Sequence, residues 1–216
     1  MKKIFFVILS LVFLQCTNAQ PFADDIAAFK IQDSITPPTK NQILFVGSSS
    51  FTKWKDVQNY FPDHPIINRG FGGSTLTDVI RYENDIIFPY QPKQIVIYCG
   101  ENDVASSDTI TPAMVATRFK KLYSDIRKHF PKVSIVFISL KPCPSRWKMK
   151  DRMIESNFLI SQYLKKKKYT SFVSVWNAML TPEGNPKADI FIADNLHMNA
   201  KGYAIWQKIL KSYLMK

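Results

Sequence analysis

Four short polar segments interrupt apolar runs in this chain, and their residue types suit one kind of chemistry. They are Gly47-Ser48-Ser49-Ser50-Phe51-Thr52, Asn68-Arg69-Gly70-Phe71-Gly72-Gly73-Ser74-Thr75, Gly100-Glu101-Asn102-Asp103 and Asp194-Asn195-Leu196-His197. A serine hydroxyl becomes a nucleophile when a base takes its proton. His197 is the plausible base, and Asp194, three residues earlier, shares a face with it on a turn or helix start. The carboxylate can then accept a hydrogen bond from Nδ1–H and leave Nε2 free for the serine proton. Attack on an ester carbonyl also needs donors for the developing oxyanion. Gly73 offers an unobstructed N–H, Asn102 a side-chain amide, and the serine its own N–H.

Each segment alone has an ordinary explanation. Serines are common in turns, a lone DxxH is usually a cap or surface pair, and Asn102-Asp103 could cap a helix or make an Asx turn. Other motifs fail on spacing. Gly70-Phe71-Gly72-Gly73-Ser74-Thr75 has Thr75 where a dinucleotide fingerprint needs its third glycine. Gly47-Ser48-Ser49-Ser50-Phe51 lacks the last glycine of a GxSxG elbow. There is no phosphate loop, no CxxC and no histidine cluster, so no metal site is expected. His64, in a connecting loop, and His129, in the last turn of a helix, read as structural.

Convergence of these segments depends on the elements between them. Ile43–Val46, Pro65–Asn68, Gln94–Cys99, Val133–Leu140 and Phe172–Val175 are apolar runs that read as buried strands. Helical patterns fill the gaps: Thr75 to Ile87; a long helix opened by Thr111-Pro112 with Met114, Val115, Phe119, Leu122, Ile126 and Phe130 as its buried stripe; about 147 to 168; and Lys201 to Leu214. Apolar strands alternating with amphipathic helices predict an α/β fold, a parallel sheet covered on both faces in three layers. Ligands of such folds bind at the carboxyl ends of the strands, where all four segments fall.

Length and composition fit one globular domain: 216 residues, 46% hydrophobic and 21% charged. Residues 1–19 read as a signal peptide, with Lys2-Lys3, an apolar run from Ile4 to Leu14 and small residues before a cut after Ala19. Acylation of Cys16 as a lipoprotein is the alternative, which Gln15 fits poorly. Either way a periplasmic or secreted location is expected, with no stable membrane insertion. Residues 20–40 read as a lead-in closed by Pro37-Pro38, and 41–216 as the functional domain. Cys99 and Cys143 would then meet an oxidising compartment, where they form either one bridge or two buried thiols. The net charge of +12 loses two lysines with the signal. Its remainder, including Lys165–Lys168, reads as a solvated surface, so nucleic acid is not expected as a partner.

Ser, Gly, Asn and His, each in its own block and in that order, resemble the SGNH hydrolases, also called GDSL esterases or lipases. The resemblance spans residues 42 to 210. It is nearest the platelet-activating-factor-acetylhydrolase-like bacterial branch, through Arg81-Tyr82, Pro89-Tyr90-Gln91-Pro92 and Lys141-Pro142-Cys143-Pro144-Ser145-Arg146-Trp147. It implies a flavodoxin-like, five-stranded α/β/α fold and ester hydrolysis without metal or cofactor. Ser49, Asp194 and His197 would be the triad, and Ser49, Gly73 and Asn102 the oxyanion hole. Ser48 stands where the family carries Asp, and the serine run leaves Ser48 and Ser50 as alternatives to Ser49. The family's range suggests short-chain, acetyl-type esters on small molecules or glycans. A lysophospholipase or thioesterase, or a non-catalytic binder of anionic glycans, are the rival readings.

Overall fold

The computed structural model describes residues 20–216. The expected signal segment lies outside the described residues. Five parallel strands make one sheet: β1 (Ile43–Gly47), β2 (Ile66–Gly70), β3 (Gln94–Tyr98), β4 (Ser134–Ile138) and β5 (Thr170–Val173), in the order β2-β1-β3-β4-β5. The helices are α1 (Ala23–Ile35), α2 (Ser49–Thr52), α3 (Val57–Tyr60), α4 (Leu76–Arg81), α5 (Glu83–Ile86), α6 (Glu101–Ser106), α7 (Pro112–His129), α8 (Lys150–Leu164) and α9 (Ala200–Leu210).

The central strands are continuously apolar because both sheet faces are covered, and every residue of β1 and β3 is buried. Alternation sends Leu44, Val46, Ile95 and Ile97 into one core with residues of α4, α5, α7 and α8. Ile43, Phe45, Val96 and Tyr98 enter the other core with Phe51, Trp54, Tyr203 and Trp206. There the Trp54 and Tyr203 rings stack at 4.7 Å. The result is the α/β/α sandwich expected, with the flavodoxin-like strand order. In that order the switch point lies between β1 and β3, whose ends carry Ser49 and Asn102.

Several elements differ from expectation. The lead-in is a helix, α1, that buries only Ile26. Phe29 packs at the edge of the core, and polar contacts add to the hold: Arg69 reaches Asp33 and Gln32, and Lys30 pairs with Asp85. With only Ile26 and Phe29 facing the core, the apolar pattern is too short to mark a helix. The helix from Thr75 to Ile87 is two helices broken at Tyr82, whose hydroxyl donates to the Pro21 carbonyl at 2.7 Å. The span from 147 begins as a 3₁₀ turn, Pro144–Met149, and becomes α8 only at Lys150. Strand β5 starts at Thr170, and α9 ends at Leu210. Met114 is 41% exposed rather than buried, because the core stripe of α7 runs through 115, 119, 122 and 126 and leaves 114 at its edge.

Cys99 belongs to one core and Cys143 to the other, on opposite faces of the sheet. Both are free buried thiols, so the bridge left open by the sequence does not form. Burial raises both thiol pKa values, that of Cys143 to about 11. His64 is buried beside Phe61, and His129 stacks on Phe88 at 4.3 Å. Lys165–Lys168 is exposed.

Candidate active site

The turn after β1 is held on three sides. Ser48 N–H donates to the Tyr98 carbonyl at 3.0 Å, while the Gly47 carbonyl accepts from Phe71 N–H and from Ser74 Oγ. Gly47 has φ of 144°, and a Cβ there would lie 1.9 Å from the Tyr98 carbonyl oxygen. Only glycine permits that approach between neighbouring strands. Ser49 therefore emerges as the first residue of α2, at a fixed point above the sheet. Ser48 and Ser50 are 3% and 2% exposed, whereas Ser49 is half-buried.

Asp194 and His197 sit on a tight loop between the bridged residues Phe191 and Met198, just ahead of α9. Ile192 N–H donates to the His197 carbonyl, and Asn195 takes the left-handed conformation, φ 56°, that closes the turn. Asp194 Oδ1 accepts from the backbone N–H groups of Leu196 and His197, both at 2.9 Å. Its Oδ2 lies 2.6 Å from His197 Nδ1, and His197 Nε2 lies 2.8 Å from Ser49 Oγ. Burial works against the Asp194 charge, but the hydrogen bonds from the His197 ring and the two N–H groups outweigh it and lower its pKa to about 2.

The donor side comes from two further loops. Gly73 is exposed, with φ of 85°, and among the described residues its N–H has no partner. Ser49 N–H opens a helix, one of the donors that a helix start leaves unpaired. Asn102 Nδ2 donates to the Ser74 carbonyl at 2.9 Å, which ties the third loop to the second. Asp103, fully buried, reinforces that tie by accepting from Leu76 N–H at 2.8 Å and pairing with Arg118 at 2.7 Å. It is a cap, as its ordinary explanation held, but on α4 rather than on its own helix.

Residues 33–205 match the GDSL-like lipase/acylhydrolase family. The chain belongs to that family, and it is a carboxylic ester hydrolase. Solved structures share its fold. A Streptococcus pneumoniae protein described as a candidate platelet activating factor is 19% identical, with a TM-score of 0.77 over 89% of this chain and 92% of that one. A GDSL-like lipase from Bacteroides thetaiotaomicron is 21% identical, with a TM-score of 0.71 over 87% and 96%. A catalytic mutant of an acetylxylan esterase from Geobacillus stearothermophilus is 15% identical, with a TM-score of 0.63 over 79% and 93%. No curated protein matches the chain significantly.

One part of this candidate site carries little signal in the local sequence pattern. Glu101 and Lys141, 3% and 1% exposed, form an ion pair at 2.8 Å beneath the third loop. Tyr98 Oη also donates to Glu101 Oε2, while Cys143 Sγ and Arg146 approach Oε1 at 3.4 and 3.3 Å. Burial opposes ionisation of Glu101, but Lys141 and Arg146 outweigh it and keep its pKa below the ordinary value. Forty residues separate Glu101 from Lys141, and nothing in local pattern marks a lysine as buried. The only signal was a charged residue in each of two strand-end loops.

Among the described residues, no helix is long and apolar enough to cross a membrane, and no group of three or more potential ligands is placed to hold a metal ion.

Proposed function

We propose that this enzyme is a serine esterase that removes short acyl groups, acetyl foremost, from glycan esters. The observation that carries the catalytic reading is the unbroken relay Ser49–His197–Asp194, with contacts of 2.8 and 2.6 Å. His197 Nε2 takes the proton as Ser49 Oγ attacks the ester carbonyl carbon. The negative charge moves to the carbonyl oxygen, which Gly73 N–H, Ser49 N–H and the Asn102 amide receive. His197 then protonates the departing alcohol. Water, deprotonated by the same imidazole, releases the acid and restores Ser49.

Two features favour short acyl groups on bulky alcohols. Asp194 is 42% exposed and His197 16%, so the relay opens directly to solvent and a large alcohol can approach it. The Phe22 ring packs on Phe71 and borders Gly73, where an added Cβ would sit 3.8 Å from it. That ring narrows the space beside the oxyanion donors. The acetylxylan esterase among the structural neighbours agrees with this reading.

The test is a parallel screen of acetylated xylan, acetylated sialic acid, lysophospholipid, acyl-CoA and p-nitrophenyl esters of increasing chain length. Acetylated glycan should be turned over, and p-nitrophenyl acetate should exceed the octanoate by at least about tenfold in kcat/KM, or about 1.4 kcal/mol. Preference for lysophospholipid or acyl-CoA would overturn the substrate class. Salt-sensitive binding of acidic polysaccharide with no hydrolysis would instead make the protein a binder.

The basic and apolar start of the chain, with Thr17-Asn18-Ala19 after it, supports export and cleavage after Ala19. The intact mass of the exported protein distinguishes this from acylation at Cys16.

A further inference from the structure

We propose that Arg146 is a positioning residue that locks the Asn102 amide in its oxyanion-binding orientation and polarises it. The proposal rests on the serine-esterase reading above. An asparagine amide can rotate by half a turn and exchange its oxygen for its nitrogen at little steric cost, and only one of the two states donates to an oxyanion. Here the neighbours decide. Arg146 is purely a donor, and its Nη2 lies 2.9 Å from Asn102 Oδ1. The Ser74 carbonyl is purely an acceptor, and it lies 2.9 Å from Nδ2. Rotation would set donor against donor and acceptor against acceptor, so one state survives. The amide nitrogen carries two hydrogens, and Ser74 takes one, leaving the second for an oxyanion.

Arg146 can impose this because it is itself anchored. Its Nη1 lies 3.3 Å from Glu101 Oε1. Glu101 is held in turn by Lys141, Tyr98 and Cys143. The 3₁₀ turn is interrupted at Arg146 (φ −116°, ψ 17°). The preceding Ser145 N–H donates to the Asn195 carbonyl at 3.1 Å. The same turn thus joins the donor side of the site to the loop bearing Asp194 and His197. The cluster holds one carboxylate against two cations, Lys141 and Arg146, so an excess positive charge stands behind the amide. A guanidinium on Oδ1 draws electron density from Nδ2 and strengthens its donation as the oxyanion forms. The benefit is felt in the transition state and not in the bound ester.

A double-mutant cycle tests this on p-nitrophenyl acetate. Asn102→Ala should lower kcat by about 10²- to 10³-fold, the usual effect of losing one oxyanion donor. Arg146→Met, which keeps the stem and removes the donors, should lower kcat by about 10- to 100-fold with KM within about threefold. Arg146→Lys should recover part of that loss, since it restores the charge but not the planar fork. In the Asn102→Ala background, Arg146→Met should cost less than about twofold. Multiplicative losses across the cycle would overturn the positioning role, and so would a raised KM at unchanged kcat. If Asn102→Ala left kcat intact, the oxyanion reading itself would fall, and this proposal with it. Because Arg146→Met removes a partner from buried Glu101, its melting temperature is measured alongside. Should it fail to fold, the Arg146→Lys arm of the cycle carries the same criterion of non-additivity.

Discussion

Replacing Ser49 with Ala is expected to lower kcat on p-nitrophenyl acetate by on the order of 10⁴- to 10⁶-fold, with KM changed by less than about threefold. The side chain's oxygen is the atom that would bond to the acyl carbon, and its removal leaves only the donors of the oxyanion hole. His197→Ala should cost a similar factor, because an unassisted serine hydroxyl is a poor nucleophile at neutral pH. The two losses should not multiply. Once Oγ is gone the imidazole has no proton to take, so the double variant should fall within a few-fold of Ser49→Ala. Multiplicative losses would mean that the two residues act separately. A loss below about tenfold in Ser49→Ala would remove it as the nucleophile. Ser48 and Ser50 could not easily replace it, since both are buried and the 2.8 Å contact with His197 is made by Ser49.

That the candidate residues would converge was legible for a physical reason. Ser49, Gly73, Asn102, Asp194 and His197 each lie where an apolar strand or the approach to a helix gives way to small polar residues, and a parallel sheet brings those ends to one edge. Strand register follows from the same runs: Phe45 pairs with Val96, and Val46 with Ile97. Long-range polar contacts were not legible. Helix α1 is held through Asp33 and Arg69, the break at Tyr82 accompanies a bond to Pro21, and Glu101 is neutralised by Lys141 and Arg146. In each case a side chain's environment is set by a partner forty or more residues away, or by a contact outside its own helix. The cysteines show the same limit. Their spacing allows a bridge, but Cys99 and Cys143 end in separate cores on opposite faces of the sheet, which the spacing does not reveal. Lys165–Lys168 is exposed, yet Lys141, among the most buried side chains, has nothing in its local sequence to separate it from them.

Asp194→Asn is expected to lower kcat by about 10⁴-fold while the fold is retained. The geometry determines how. Asp194 Oδ1 already accepts from two backbone N–H groups, of Leu196 and His197. An asparagine would keep its oxygen there, because the alternative points its NH₂ at two donors. Its NH₂ group then occupies the Oδ2 position, 2.6 Å from His197 Nδ1. A donor facing Nδ1 requires that nitrogen to be the unprotonated one, so the proton moves to Nε2. Nε2–H then faces Ser49 Oγ and cannot accept its proton. The wild-type carboxylate avoids this across the neutral range, since its pKa is lowered to about 2. A depressed carboxylate pKa favours the folded state fully above the ordinary value of about 3.9, and that contribution is lost as pH falls toward 2. Activity lost on mild acidification should therefore not come from protonating Asp194. Because the two backbone bonds to Oδ1 persist in the asparagine variant, its melting temperature should stay within a few degrees of wild type near pH 7. A loss of activity below about tenfold, or a fall in melting temperature that tracks it, would mean that the carboxylate secures the loop and not the tautomer of His197.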